Sequence, residues 1–94
     1  MTTVPDPQAL LLDMLCQTES PEEMAQVLDC LLTTKELKDL EGRIQIFALL
    51  MQEHPHRAVA QELGVGVATV SRGAQVLKRD AFATVAKHIE KELK

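Results

Sequence analysis

The stretch from His56 to Arg79 constrains the fold of this 94-residue chain more than any other part of its sequence. Apolar residues recur there at helical spacing in two short groups: Val59, Ala60 and Leu63, then Val67, Val70, Ala74 and Leu77. Gly64 separates the groups, and glycine ends helices readily because it adopts a positive φ without steric cost. We therefore expect a helix over 57–63, a tight turn whose corner Val65 fills, and a second helix from about Val67. Such a helix-turn-helix can place its second helix in the major groove of DNA.

Capping patterns outside this stretch predict four further helices. Residues that favour helix N-caps stand at their starts: Asp6, Ser20, Thr33 and Asp80. Proline follows the first two, and a glutamate stands three residues after both Ser20 and Thr33, which is the capping-box pattern. The third helix should be the longest and should end near Glu53, because Pro55 cannot continue it. No strand pattern is present, so we predict an all-α chain of six helices.

The apolar content predicts an oligomer. Apolar residues make up 46% of the chain, with no Trp, no Tyr and two Phe, so the core must be aliphatic. The predicted helix that begins after Ser20 carries one apolar stripe that we expect to be buried: Met24, Val27, Leu28 and Leu31. A single chain of this size buries only about two-thirds of its unfolded surface. The aliphatic surplus therefore favours a second copy of the chain that shares the core.

Charge is distributed unevenly along the chain. The formal net charge is −4, yet residues 1–30 carry six acidic side chains and no basic one. Between 54 and 79 the balance reverses, with one acidic residue against four basic ones: Arg57, Arg72, Lys78 and Arg79. An acidic protein can still present a locally positive face to DNA, and phosphate contacts on such a face make binding salt-dependent.

No residues form the pattern of a metal site or of an enzyme. His54 and His56 flank a proline without Cys or carboxylate partners at metal-ligand spacing, so we expect no metal site there. Their expected role is to add positive charge near DNA when they are protonated. A Ser/His/Asp set and a Gly-rich phosphate loop are both missing from the sequence, which argues against an enzyme.

The targeting and cysteine patterns of the sequence predict a cytoplasmic protein. No secretory signal precedes the chain's helices, and no apolar run approaches the roughly 20 residues that cross a membrane. Cys16 and Cys30 are isolated, without a CxxC motif, and we expect them to be reduced thiols that act as small core residues.

Gly73 is unusual because it stands in the middle of the second helix of the helix-turn-helix. Glycine at such a position costs about 1 kcal/mol relative to alanine. Two interpretations are open. Another helix crosses closely at Gly73, or the missing side chain leaves a flat slot in which a planar ligand lies.

The chain resembles the Trp repressor family over Leu32 to Lys78, which reads LTTKELKDLEGRIQIFALLMQEHPHRAVAQELGVGVATVSRGAQVLK. The resemblance implies an intertwined homodimer in which residues 1–94 form one domain. Dimerisation helices would occupy 1–53, the helix-turn-helix 56–79 and a C-terminal helix 80–94. The implied function is repression of tryptophan biosynthesis genes through a palindromic operator in double-stranded DNA. L-tryptophan would be the co-repressor, with no other cofactor and no membrane partner.

The same resemblance implies the residues of two sites. The ligand site would comprise Arg43, Arg72, Gly73, Thr33, Cys30 and Val76. The two arginines match those that sandwich the indole and hold the carboxylate, and Gly73 matches the floor. Thr33 matches a main-chain contact from the partner subunit, and Cys30 an apolar wall. The operator contacts would be Arg57, Val67, Ala68, Thr69, Ser71 and Lys78, with Arg57 reading a guanine.

Val76 departs from the family pattern, which has a serine that helps hold the ligand's amino group. Losing one hydrogen bond to a charged group weakens binding by roughly 1.5–3 kcal/mol. The departure leaves open a related DNA-binding regulator with a different co-repressor or none. A helical protein-interaction module without DNA binding is a further alternative. For the two ligand-site arginines, the alternative role is a solvated salt bridge to Glu41 or Glu36.

Overall fold

The computed structural model describes residues 6–93, which form six α-helices and no β-strand. The helices are α1 (Pro7–Gln17), α2 (Pro21–Leu31), α3 (Thr34–Met51), α4 (His56–Leu63), α5 (Val67–Leu77) and α6 (Phe82–Leu93). This confirms the predicted all-α chain of six helices. The chain divides into two compact units, Met1–Lys38 and Asp39–Lys94. Within the described part of the chain, no helix combines the length and the apolar character that crossing a membrane requires.

The first two helices begin as their capping residues predict. The backbone N–H of Gln8 donates to Asp6 Oδ1 at 3.1 Å, and that of Glu23 donates to Ser20 Oγ at 3.1 Å. Both helices have proline in their first turn, where its missing N–H costs nothing. A cap of this kind stabilises a helix by about 1 kcal/mol.

The apolar side chains of the first unit remain accessible to solvent. No residue of α1 or α2 is buried in the single chain; of the stripe expected on α2, Met24, Val27 and Leu28 are half-buried. Leu31, at the end of that stripe, is 47% exposed. Cys16 and Cys30 are also exposed, which contradicts their predicted role as core residues. The physical reason is size, because two helices of 11 residues have too few side chains to enclose an apolar stripe.

The second unit has a small core to which each of its helices contributes. Its buried residues are Ile46 and Phe47 on α3, Val59 and Ala60 on α4, Val70 on α5 and Phe82 on α6. Val59 and Val70 are completely buried. The rings of Phe47 and Phe82 meet edge to face, with centroids 5.1 Å apart and an interplanar angle of 78°. Such a pair contributes about 0.5–1.5 kcal/mol beyond the area it buries.

Helix α3 ends at Met51, two residues before the predicted end, in a Schellman motif. The N–H of Glu53 donates to the carbonyl of Leu50 at 3.0 Å, and the N–H of His54 to that of Leu49 at 3.2 Å. Glu53 has a φ of 64°, in the left-handed region that favours glycine. The motif therefore holds a non-glycine residue in a strained conformation immediately before α4.

The turn between α4 and α5 contains Gly64, whose φ of 68° confirms the predicted helix end. The N–H groups of Gly64 and Val65 both donate to the carbonyl of Ala60. Val65 is 37% exposed, so the prediction that it fills the corner is wrong. The two helices are joined instead through Val59, Ala60 and Val70, which belong to one buried cluster.

The last helix begins at Phe82, and the expectation that the Asp80 side chain caps it is wrong. The backbone carbonyl of Asp80, and not its carboxylate, accepts a hydrogen bond from Ala83 N–H at 3.2 Å. The N–H of Phe82 donates to the carbonyl of Arg79 at 3.0 Å. These turn hydrogen bonds satisfy the start of α6 without a side-chain cap.

Candidate nucleic-acid interface and ligand site

Helix α5 is anchored to the second unit by one face and exposes the other. Val70 is completely buried, while its neighbours Ala68 and Thr69 and the first residue, Val67, are exposed. Ala68 and Thr69 lie about 200° and 100° around the helix from Val70, so burying Val70 turns these two side chains outward. The sequence accomplishes this with an apolar residue between small or hydroxylated ones.

The predicted operator contacts lie on α4 and α5, and most of them are accessible. Arg57, the second residue of α4, is exposed, as is Lys78 at the C-terminal end of α5. Ser71 is half-buried. His56 Nδ1 lies 3.3 Å from Ser71 Oγ, so the start of α4 lies directly beside the middle of α5. The surface formed by Arg57, Val67, Ala68, Thr69, Ser71 and Lys78 is called here the α4–α5 surface.

The sequence predicts only a positive charge near DNA for His56 and gives no sign of its contact with Ser71. The two residues are 15 positions apart and belong to different helices. Periodicity identifies the buried face of each helix but not the angle at which two helices cross. No sequence signal could therefore have paired these two side chains.

Arg72 forms a hydrogen bond with Thr69, a residue of the α4–α5 surface. Its Nη2 donates to Thr69 Oγ1 at 3.4 Å, three residues earlier on the same exposed side of α5. The predicted alternative, a salt bridge from this arginine to Glu41, is not formed within residues 6–93. A predicted ligand residue and a predicted operator contact thus share a hydrogen bond.

Gly73 lies where α3 packs closely against α5. A Cβ built on Gly73 would lie 2.8 Å from Cγ2 of Ile46, far inside ordinary contact distance. Of the two interpretations of this glycine, a close helix crossing is therefore the one that the structure contains. Arg43 precedes Ile46 by three residues on α3.

Two further predicted ligand residues, Arg43 and Val76, belong to the same two helices as Ile46 and Gly73. Arg43 is exposed and forms no ion pair or side-chain hydrogen bond with the described residues. Val76 is half-buried one turn after Gly73. The other two predicted ligand residues, Thr33 and Cys30, belong to the first unit.

Thr33 caps the start of α3 in a complete capping box. Its N–H donates to Glu36 Oε1 at 2.8 Å, and the N–H of Glu36 donates to Thr33 Oγ1 at 3.0 Å. The carbonyl of Thr33 accepts from Leu37 N–H at 3.0 Å and keeps a second lone pair. The carbonyl oxygen of Thr33 is therefore the main-chain group that can still accept a hydrogen bond from a ligand. Cys30 is exposed near the end of α2.

Among residues 6–93, no group of three or more His, Cys, Asp or Glu side chains is arranged to hold a metal ion. An open apolar groove of about 440 Å³ lies between α3 and α6. Its lining includes Ile44, Ala48, Val85, His88, Ile89 and Leu93.

Comparison with known proteins identifies a family and several relatives. The family model described as "Trp repressor protein" matches residues 8–90. The "Trp operon repressor homolog" of Xylella fastidiosa (strain M23) is 40% identical over 70 residues, covering 73% of this chain and 76% of the relative. The protein of the same name from Vibrio cholerae serotype O1 is 38% identical over 69 residues, covering 72% and 67%. No solved structure matches the chain at a significant level.

These matches confirm the resemblance drawn over Leu32 to Lys78 and extend it to residues 8–90. The family description and the names of the relatives denote transcription regulators and not enzymes, as the sequence predicted.

Proposed function

Because this chain belongs to the Trp repressor family, we propose that it represses tryptophan biosynthesis genes as a homodimer that binds a palindromic operator when L-tryptophan is bound. The observation that carries the proposal is the orientation of α5. Val70 is fully buried, whereas the first turn of the helix is exposed beside the start of α4. A helix held in this way can present short side chains to the edges of bases in the major groove.

The charge of the α4–α5 surface supports DNA as the partner. Arg57 is in the first turn of α4 and Lys78 follows the last residue of α5, and both are exposed. Long basic side chains can contact phosphates or guanine, while the small exposed side chains of Ala68 and Thr69 allow close approach of the backbone. The acidic residues of the first 30 positions belong to the other unit of the chain.

The crossing of α3 and α5 supports a small-molecule site with a carboxylate-binding end. Arg43 and Arg72 are both exposed guanidinium groups, and guanidinium pairs with carboxylate through bidentate hydrogen bonds. Gly73, which follows Arg72 directly, would supply a floor without a side chain. A planar ring needs about 3.5–4.0 Å from the atoms that it contacts, so Ile46 must move away from Gly73 to admit one.

The exposed apolar surface supports the homodimer. The largest unburied side chains include three consecutive leucines of α1: Leu10, Leu11 and Leu12. The second unit exposes Ile44 at 52% in the groove between α3 and α6. Apolar patches of this kind mark interfaces, and a second copy offers the leucines of α1 as side chains of matching chemistry.

Two titrations test the proposal. L-tryptophan is titrated into the chain by calorimetry, and duplexes from upstream of tryptophan biosynthesis genes are titrated by fluorescence anisotropy with and without the amino acid. We expect heat of binding and DNA affinity that rises with L-tryptophan and falls steeply with salt. The Arg57→Ala variant should bind the duplex less tightly while binding L-tryptophan normally. No heat at millimolar L-tryptophan would overturn the co-repressor assignment.

A second candidate is a repressor of the same architecture with a different co-repressor or none. Val76 favours it, because a half-buried valine offers no hydrogen bond at the position where the family pattern has a serine. Under the tryptophan assignment, Val76→Ser should strengthen L-tryptophan binding by about 10-fold or more. Unchanged affinity in this variant, together with ligand-independent DNA binding, would support the second candidate.

A further inference from the structure

One side chain beside the α4–α5 surface has a fixed orientation and an unused hydrogen-bonding atom. His56 is the first residue of α4 and is exposed, and its Nδ1 lies 3.3 Å from Ser71 Oγ on α5. Within the described residues, the ring makes no other hydrogen bond or ion pair, so Nε2 is left to the solvent. Nothing in the packing of α4 and α5 requires an imidazole here, because the two helices are held by Val59, Ala60 and Val70.

The tautomer of His56 decides what Nε2 offers a partner, and the Ser71 contact is compatible with either tautomer. A neutral imidazole carries its proton on one nitrogen, and the other accepts. When Ser71 O–H donates to Nδ1, the proton is on Nε2, which is then a donor. When the ring is protonated, Nδ1–H donates to Ser71 Oγ and Nε2 again carries a proton. A partner that only accepts hydrogen bonds, such as a phosphate oxygen, selects these two forms.

We propose that His56 is a DNA-contacting residue, held by Ser71, that donates a hydrogen bond from Nε2 to a phosphate of the duplex bound at the α4–α5 surface. The inference rests on the proposed DNA-binding function and adds a residue to it. Phosphate is the DNA group with the matching chemistry, because its oxygens only accept. The neighbouring Arg57 is exposed on the same turn of α4, so a duplex that reaches Arg57 also passes His56.

Three substitutions separate the two nitrogens of the ring. His56→Phe keeps a flat ring and removes both nitrogens. His56→Gln retains a donor about as far from the backbone as Nε2, whereas His56→Asn retains a polar group only near the position of Nδ1. His54→Phe is the comparison that separates a direct hydrogen bond from the general positive charge expected of both histidines, since His54 is also exposed, stands two residues earlier and has no side-chain hydrogen bond within residues 6–93.

The experiment measures the affinity of each variant, with L-tryptophan present, for two 30-base-pair duplexes: one from upstream of a tryptophan biosynthesis gene that carries a palindromic site, and one of mixed, unrelated sequence. His56→Phe should weaken binding by roughly 3- to 10-fold, the equivalent of one hydrogen bond. The factor should be equal for both duplexes, because phosphate contacts are independent of sequence. His56→Gln should restore most of the affinity, and His56→Asn should not. Thermal unfolding of the same variants shows whether the loss arises from folding.

The outcomes also separate this inference from the function on which it rests. Wild-type affinity in His56→Phe, or an equal loss in His54→Phe, overturns the inference and leaves the proposed function standing. If His56→Asn restores the affinity lost in His56→Phe and His56→Gln does not, the ring acts only through its contact with Ser71. That result also overturns the inference. A wild-type chain that binds neither duplex overturns the proposed function together with the inference.

Discussion

Gly73 and Gly42 allow the packing between α3 and α5 to be measured against an internal control. Both glycines lie inside helices, Gly73 in α5 and Gly42 in α3. Replacing glycine by alanine in a helix interior stabilises a protein by about 1 kcal/mol when the new methyl group has room. A Cβ on Gly42 meets nothing within 4 Å, whereas a Cβ on Gly73 meets Ile46 Cγ2 at 2.8 Å. The helix-propensity gain is therefore common to both variants, and only Gly73→Ala adds a steric cost.

The steric cost follows from the position of the contacting atom. Cγ2 of Ile46 is attached directly to Cβ of a side chain that is only 4% exposed, so it cannot swing into solvent. Restoring a contact of about 3.5–4.0 Å requires α3 and α5 to separate, and overpacking of this kind costs about 1–3 kcal/mol. We expect Gly42→Ala to stabilise the protein by up to about 1 kcal/mol. Gly73→Ala should fall below it by about 1–3 kcal/mol.

Urea unfolding at one fixed protomer concentration measures both free energies, because a dimer's stability depends on concentration. Ile46→Leu moves the branch of the side chain from Cβ to Cγ and removes the clashing methyl group. Combined with Gly73→Ala, it should recover about 1 kcal/mol relative to the sum of the single changes. Equal stabilisation by Gly42→Ala and Gly73→Ala would refute the argument, since it would mean that α3 and α5 do not touch at Gly73 in solution.

Three further expectations concern the strained turn, the ligand site and the dimer. Glu53 has a φ of 64°, which glycine adopts without strain, so Glu53→Gly should raise the free energy of unfolding by about 0.5–1 kcal/mol. Gly64 has a φ of 68°, so Gly64→Ala should lower the free energy of unfolding by about 1–2 kcal/mol, although the added methyl group meets nothing within 4 Å. A loss of stability in Glu53→Gly, or a gain in Gly64→Ala, measured by urea unfolding would contradict this account of both turns. Thr69→Val removes the hydroxyl group that accepts a hydrogen bond from Arg72 Nη2. Calorimetry should then show an affinity for L-tryptophan about twofold higher, the value of one exposed hydrogen bond. An unchanged affinity would show that Thr69 does not compete with the ligand for Arg72. Ile44→Glu places a charge in the apolar groove between α3 and α6 and should convert the dimer to monomers in sedimentation velocity; a stable dimer would exclude this groove from the interface.

Local sequence signals predicted the helix ends well because each end is decided by a few neighbouring residues. Asp6, Ser20 and Thr33 accept hydrogen bonds from N–H groups two or three residues later, and the capping box at Thr33 is complete in both directions. Gly64 adopts the positive φ that its place after an apolar group requires. Asp80 is the exception, because backbone hydrogen bonds already satisfy the first turn of α6.

Predictions that depended on packing between distant segments succeeded less often. The sequence shows that Val65 and Cys30 are apolar enough to be buried, but burial requires a neighbour on the other side, and both residues are exposed. The contact between His56 and Ser71 likewise depends on how α4 and α5 cross, which periodicity does not determine. The positions of Gly73 and Val76 were visible in the sequence, while the filling of the Gly73 site by Ile46 was not.

The geometry of α5 gives a physical reason why a ligand at Gly73 would affect DNA binding. Val70 and Gly73 are three residues apart and face α3, whereas Thr69 and Arg72 are three apart on the exposed side. A planar molecule on Gly73 cannot be admitted while Ile46 keeps its place, so binding must increase the separation of α5 from α3. The same helix carries the exposed first turn of the α4–α5 surface, and displacing it changes where that turn meets a duplex. Ligand binding and DNA binding would therefore be coupled through the spacing of two helices, without any contact between ligand and DNA.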